Sequence, residues 1–300
     1  QDSSSAASDV YKRQGNTLYD KMLVQVSNQD NIARISSYGF AFGYLGGGFL
    51  FLINAAMTIK PEFFGLSSVA DAVRWSFLSV SVWWTLFLIP ILLKIQDKGV
   101  SLPGSHFKMA YSRVINTLRT VSSKKNVFIF LLAFFLYIDG VHTIMAMAAD
   151  FALNLGLPSS DIIVALILVQ FVAFPTTLLW SKFAYKFGEK NTLLFTISLY
   201  LIVIAYSAFL SNAVEFYVLA SMVGAIQGGI QSISRSYYAT LIPQGESGEY
   251  FGFYNMFGRA GAFMGPALVA IFVTFFQDTK FGLIPIACLL YTSPSPRDEQ

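Results

Sequence analysis

Residues 134–150, FFLYIDGVHTIMAMAAD, place Asp139, His142 and Asp150 inside a long apolar run. At helical spacing Asp139, His142, Thr143, Ala146 and Asp150 share one face, and Leu136, Ile138, Val141 and Ile144 lie off it. A carboxylate turned toward lipid costs several kcal/mol, so residues of this kind face a cavity or a partner. The chemistry such a stripe offers is proton uptake and release, and binding of a polar solute along a water-accessible path. Structural readings stand beside it. Asp139 before Gly140 is also the pattern of a helix break whose freed amides are capped by the carboxylate. His142 also reads as a satisfied hydrogen-bond donor, and Asp150, at the outer boundary, as a solvated side chain.

A second set complements the first. Arg259, in FGRAGAFMGP, falls well inside another apolar segment, on a face shared with Gly252, Asn255, Ala262 and Pro266. Its planar guanidinium is suited to an anionic substrate group; snorkelling to the surface or a static pair with Asp139 are the alternatives. Residues 213–234 put Gly224, Gln227, Gly228, Gln231 and Ser234 on one face, followed by Arg235. The glycine spacing serves close helix packing, and two glutamines one turn apart supply amides for a polar solute. Gln170, sharing a face with Phe174 and Thr177, is a weaker member of the same group, with a kink expected at Pro175.

Other chemistries find no support. The glycines of GYLGGG lie within an apolar span and do not link a strand to a helix, so they are no nucleotide loop. The two histidines, His106 and His142, and the lone Cys288 make no metal constellation. GESG at 245–248 lacks a nucleophile-elbow pattern. No enzyme activity, cofactor or metal is expected.

The elements that must carry these residues are membrane helices. The chain has 300 residues, 55% hydrophobic and 12% charged, against about 25% charged in soluble domains. A net charge of +3 is too small to argue for nucleic acid. At about 20 residues per crossing, seven segments qualify, at 35–57, 73–93, 127–149, 161–181, 191–210, 213–234 and 250–276. An eighth begins near Phe281 and is cut short. Residues 15–34 are too polar to span and read as a loop carrying the tail of a further helix. The termini, 1–14 and 289–300, resemble translated adapter sequence, which implies a partial chain.

Basic residues set the orientation. The 94–126 connection holds Lys94, Lys98, Lys108, Arg113, Arg119, Lys124 and Lys125, and the 181–191 loop holds Lys182, Lys186 and Lys190. Lys21, Arg34 and Arg235 fall on the same side by parity, and only Lys60, Arg74 and Lys280 on the other. That side is the cytoplasm. Within the connection, FKMAYSRVINTLRTV spaces Phe107, Ala110, Val114, Leu118 and Val121 as a short amphipathic helix, either on the inner membrane surface or as a solvated linker. A weak internal repeat aligns SYGFAFGYLGGGF (37–49) with GFYNMFGRAGAFM (252–264), pairing Gly39 with Tyr254 and Gly43 with Gly258. Two related halves are a common plan of secondary transporters.

Four stretches carry a family resemblance. FLYIDGVHTI, QGGIQSISRSYYATLIP, GEYFGFYNMFGRAGAFMGP and RISSYGFAFGYLGGG are similar to the seventh, tenth, eleventh and fifth helices of the vacuolar effluxer-like group of the major facilitator superfamily. SKFAYKFGEK at 181–190 is a partial echo of the superfamily loop motif, with Tyr185 in place of its acid and Glu189 in place of a basic residue. The resemblance implies an all-α membrane bundle with helices five and six over 15–93, a cytoplasmic linker over 94–126, and helices seven to eleven with part of twelve over 127–288. It implies a central cavity lined by helices seven, eight, ten and eleven, and small amino acids as substrates. The expectation is a monomeric secondary transporter in a lipid bilayer, of bacterial inner-membrane type, with the proton as candidate coupling ion. Asp139, His142, Thr143, Gln170, Gln227, Gln231, Asn255 and Arg259 would serve substrate or coupling. Carriers of sugars, peptides or lipids, and a non-transporting receptor or assembly protein, are the alternatives.

Overall fold

The computed structural model describes residues 15–94, 106–243, 246–260, 263–277 and 279–292. Among them all regular structure is helical. A helix over 15–26 (α1) is followed by α2 (Ile32–Ile59), α3 (Val69–Lys94), α4 (His106–Ser123) and α5 (Lys125–Asn154). Then come α6 (Ser159–Phe187), α7 (Glu189–Ser207), α8 (Ala213–Leu241), α9 (Ser247–Ala260), α10 (Met264–Phe276) and α11 (Leu283–Tyr291). Seven spans are long and apolar enough to cross a membrane, α9 and α10 together making the last. These are the seven expected, with the C-terminal ends of α5, α6 and α8 at Asn154, Phe187 and Leu241 rather than at 149, 181 and 234. The ends 1–14 and 293–300, and Ala262, lie outside the described residues.

The differences have physical reasons. Residues 15–26 are helical rather than loop, because Asn16, Tyr19, Asp20 and Leu23 recur at helical spacing and Leu23 and Asp20 bury against the bundle. α6 continues through Pro175 to Phe187, so the loop expected at 181–191 shrinks to Gly188, whose φ of 83° only glycine adopts freely. α8 runs on to Leu241, which places Arg235 inside it with 3% exposure rather than on a cytoplasmic loop. Discounting Arg235 leaves the basic bias intact. Pro266 falls in the first turn of α10, where its missing N–H costs nothing. Leu289 and Leu290 continue α11 and are buried, Leu290 against Gly140.

Packing explains the glycines. α6 and α8 lie in close contact along their lengths, and a Cβ built on Gly224 would stand 2.7 Å from the Val169 carbonyl oxygen. Trp180 Nε1 donates to the Ala225 carbonyl across the same seam at 2.7 Å. Small residues are what let membrane helices approach this far. α2 packs on both α6 and α8, joining the α1–α3 half to the α5–α11 half. α3 hangs on α2 with Trp75, Phe77, Trp84 and Leu93 exposed, as suits a lipid-facing helix. α4 is amphipathic as expected, and it docks on protein. Val121 is buried, Thr117 donates to the Glu249 carboxylate, and the Lys124 ammonium lies 5.3 Å from the Tyr250 ring centre. The linker is thereby strapped to the start of α9.

Candidate functional site

A cavity of about 600 Å³ lies between the two halves, walled by α1, α2, α5, α6, α8 and α9. Its polar lining has a consistent origin. On α8 the helical stripe brings Gln227, Gln231 and Arg235 to one wall, and on α9 the same period brings Asn255 and Arg259. Gln170 reaches it from α6 and His142 from α5. Both repeated segments contribute to this lining, Gly39 and Gly43 from α2 and Tyr254 and Gly258 from α9.

Both α8 glutamines are oriented by tyrosines. Tyr44 of α2 donates to Gln231 Oε1 at 2.8 Å, and Tyr200 of α7 donates to Gln227 Oε1. Neither amide makes another hydrogen bond among the described residues. Their NH₂ groups are therefore the donors left for a ligand. Phe134 and Tyr254 also line the cavity. Phe134 stacks on Tyr254 at 4.1 Å, and Phe130, Tyr238 and Phe251 pack behind them. α2 and α8 are also joined by hydrogen bonds. Ser36 Oγ donates to the Ser232 carbonyl at 2.7 Å, and Ser37 Oγ to Ser232 Oγ at 3.2 Å.

The strongest electrostatic feature was not foreseen. Arg235 Nη1 lies 3.3 Å from Asp20 Oδ1. Its Nε donates to Ser36 Oγ at 3.0 Å and its Nη2 to the Ser36 carbonyl at 3.0 Å. The guanidinium also sits over the Phe40 ring at 4.5 Å and the Tyr19 ring at 5.2 Å. Asn255 Nδ2 donates to the other Asp20 oxygen at 2.9 Å, and the Arg259 charge acts on the same carboxyl. Burial pushes the Asp20 carboxyl above its ordinary range, against the pull of Arg235, Asn255 and Arg259. The signals in the sequence were the Asn16–Tyr19–Asp20–Leu23 period and the α8 stripe, which runs on by one turn from Gln231 to Arg235.

Asp139 and Thr143 are not part of this lining. Asp139 is fully buried, and neither carboxyl oxygen completes a well-directed hydrogen bond among the described residues. The donor beside them is the Gly265 N–H, in the first turn of α10. A Cβ on Gly265 would stand 3.0 Å from Asp139 Oδ1 and collide with Thr143 Oγ1. Thr143 Oγ1 donates to the Asp139 carbonyl at 2.8 Å. The stripe expected to share one chamber is split because His142 and Thr143 stand about 100° apart round the helix. The His142 edge meets the cavity and the Asp139–Thr143 edge meets α10. The structure brings together His142, Gln170, Gln227, Gln231, Asn255 and Arg259, and sets Asp139 and Thr143 apart. Among the described residues no cluster of three metal-ligating side chains occurs.

Two helical halves about a polar central cavity define a multi-pass membrane protein with the major facilitator-type bundle. The chain belongs to the family described as vacuole effluxer Atg22 like, whose model matches residues 4–295. It is 36% identical to an MFS-type transporter, YxiO, of Bacillus subtilis (strain 168), over 85% of this chain and 60% of that protein. It is 26% identical to autophagy-related protein 22 of Yarrowia lipolytica, over 96% of this chain and 54% of that one. A solved bacterial homologue of the iron transporter ferroportin, in an outward-facing state, shares the fold with a TM-score of 0.56 at 14% identity. That likeness covers 90% of this chain and 64% of the other. The chain spans between half and two-thirds of the length of these proteins.

Proposed function

We propose that the chain is the larger part of a secondary active transporter that moves small polar solutes, amino acids first among them, by alternating access. The observation that carries this reading is the cavity between the halves, lined by aromatic residues and furnished with two tyrosine-oriented glutamines, Asn255 and Arg259. Midplane sites between rocking halves are the general design of such carriers. Gln170, Gln227, Gln231 and Asn255 orient the solute, His142 lines its path, and Arg259 offers a fork to its anionic group. A guanidinium-bearing lining favours charged or zwitterionic solutes over sugars.

Proton linkage is assigned to Asp139, with Thr143 as its neighbour. A carboxylate buried without a counter-charge is costly when ionised, so its protonation is tied to whether α10 rests on α5. The Bacillus relative supports a bacterial inner membrane as the location. Full-length protein in proteoliposomes provides the test, using counterflow of labelled small amino acids with and without an imposed proton gradient. Wild-type exchange, accelerated by the gradient and insensitive to it in Asp139→Asn, is expected. Absence of exchange for every amino acid in wild type would end the carrier reading, and a gradient response surviving in Asp139→Asn would remove Asp139 from coupling.

A further inference from the structure

We propose that Asp20 is a built-in stand-in for a ligand carboxylate, filling an anion seat made by Arg235 and Asn255 that a substrate carboxylate takes over during transport. The seat is constructed independently of its occupant. Three sides of the Arg235 guanidinium are fixed by Ser36 Oγ, the Ser36 carbonyl and the Phe40 ring, all on α2. Asn255 is fixed by its bond to the Phe251 carbonyl at 3.0 Å. Asp20 comes from a different element, α1, and supplies only the acceptor oxygens. When it withdraws, the donors stay where they are, pre-organised for another carboxylate.

Charge points the same way. The described cavity lining holds two guanidiniums, Arg235 and Arg259, against a single carboxylate, Asp20. An uncharged solute that displaced Asp20 would leave the buried Arg235 guanidinium without the carboxylate it now pairs with. A solute bearing a carboxylate replaces the charge it removes. A zwitterion does so and also offers its ammonium to the freed Asp20. The seat lies on the cavity wall, so a ligand reaches it without crossing the packed core. It also lies where α1 and α2 of one half meet α8 and α9 of the other, so exchanging its occupant alters the bonds that hold the halves together.

The inference that a substrate enters the seat rests on the carrier reading; the existence of the seat does not. The test is chemical rescue of the full-length protein in detergent. Asp20→Ala lowers the midpoint of thermal unfolding by roughly 5–15 °C. Formate at tens of millimolar, added as the smallest carboxylate, restores at least half of that loss, and formamide restores none. Wild type, whose seat is filled, does not respond. The double variant Asp20→Ala/Arg235→Gln does not respond either. Lack of a formate effect in Asp20→Ala, or an equal effect in the double variant, would overturn the seat. If Asp20→Ala does not fold, Asp20→Ser, which also leaves room for formate, is compared in the same way. Counterflow separates the two ideas. Rescue without any carboxylate-bearing counterflow substrate sinks the transport half alone, and counterflow without rescue sinks the seat and leaves the carrier.

Discussion

Gly224 offers a quantitative test of how the site is held. A Cβ there would lie 2.7 Å from the Val169 carbonyl oxygen and 3.0 Å from the Val169 Cα. Ordinary contact begins at 3.4 Å, so α6 and α8 must part by about 0.7 Å to admit alanine. The obstacle is backbone and cannot swing aside. Overpacking of this kind costs roughly 1–3 kcal/mol, offset by up to about 1 kcal/mol of improved helix propensity. Gly224→Ala should therefore cost about 0–3 kcal/mol, and Gly224→Leu, which drives a branched side chain into the same seam, about 2–4 kcal/mol. At about 2–4 °C per kcal/mol, the leucine variant should unfold roughly 4–16 °C below wild type in a detergent melt. Because Val169 precedes Gln170, and Gly224 lies one turn before Gln227, opening the seam also separates two solute-facing amides. Substrate affinity should fall even at temperatures where Gly224→Ala is fully folded. If Gly224→Leu melted within a degree or two of wild type, the close α6–α8 seam would be wrong, and with it the placement of both glutamines.

Further expectations concern individual side chains. In a Cys288→Ser background, His142→Cys and Met145→Cys should react with a water-soluble maleimide, and Thr143→Cys should not, because only the first two line the cavity. Tyr44→Phe releases the Gln231 carbonyl and should weaken solute binding about 3–10-fold, the worth of roughly one neutral hydrogen bond, with little change in folding. Gly265→Val should destabilise more than Gly224→Ala, since its Cβ meets both Thr143 and Asp139, and melting temperatures decide the order.

The membrane spans were legible because lipid imposes length and hydrophobicity on every crossing. The polar stripes on α8 and α9 were legible for the same periodic reason, and Gln227, Gln231, Asn255 and Arg259 do meet at one cavity. Asp139 was harder to place. A stripe of residues three and four apart is wide enough to touch two neighbours, and only packing tells which edge meets α10 and which meets water. In the sequence Asp20 and Arg235 read as loop residues, because a charge near the end of a hydrophobic run looks like its boundary. Each is buried by the other, a mutual compensation between positions 215 residues apart that no local window contains.

The central claim is that the cavity walled by α1, α2, α5, α6, α8 and α9 is the path of the solute. Its most direct test is the initial rate of amino-acid counterflow by Arg259→Gln, with protein abundance matched to wild type. Loss of a charge-assisted hydrogen bond to the substrate should reduce that rate at sub-saturating solute by roughly 10–100-fold. A rate equal to wild type would place the solute somewhere other than this cavity.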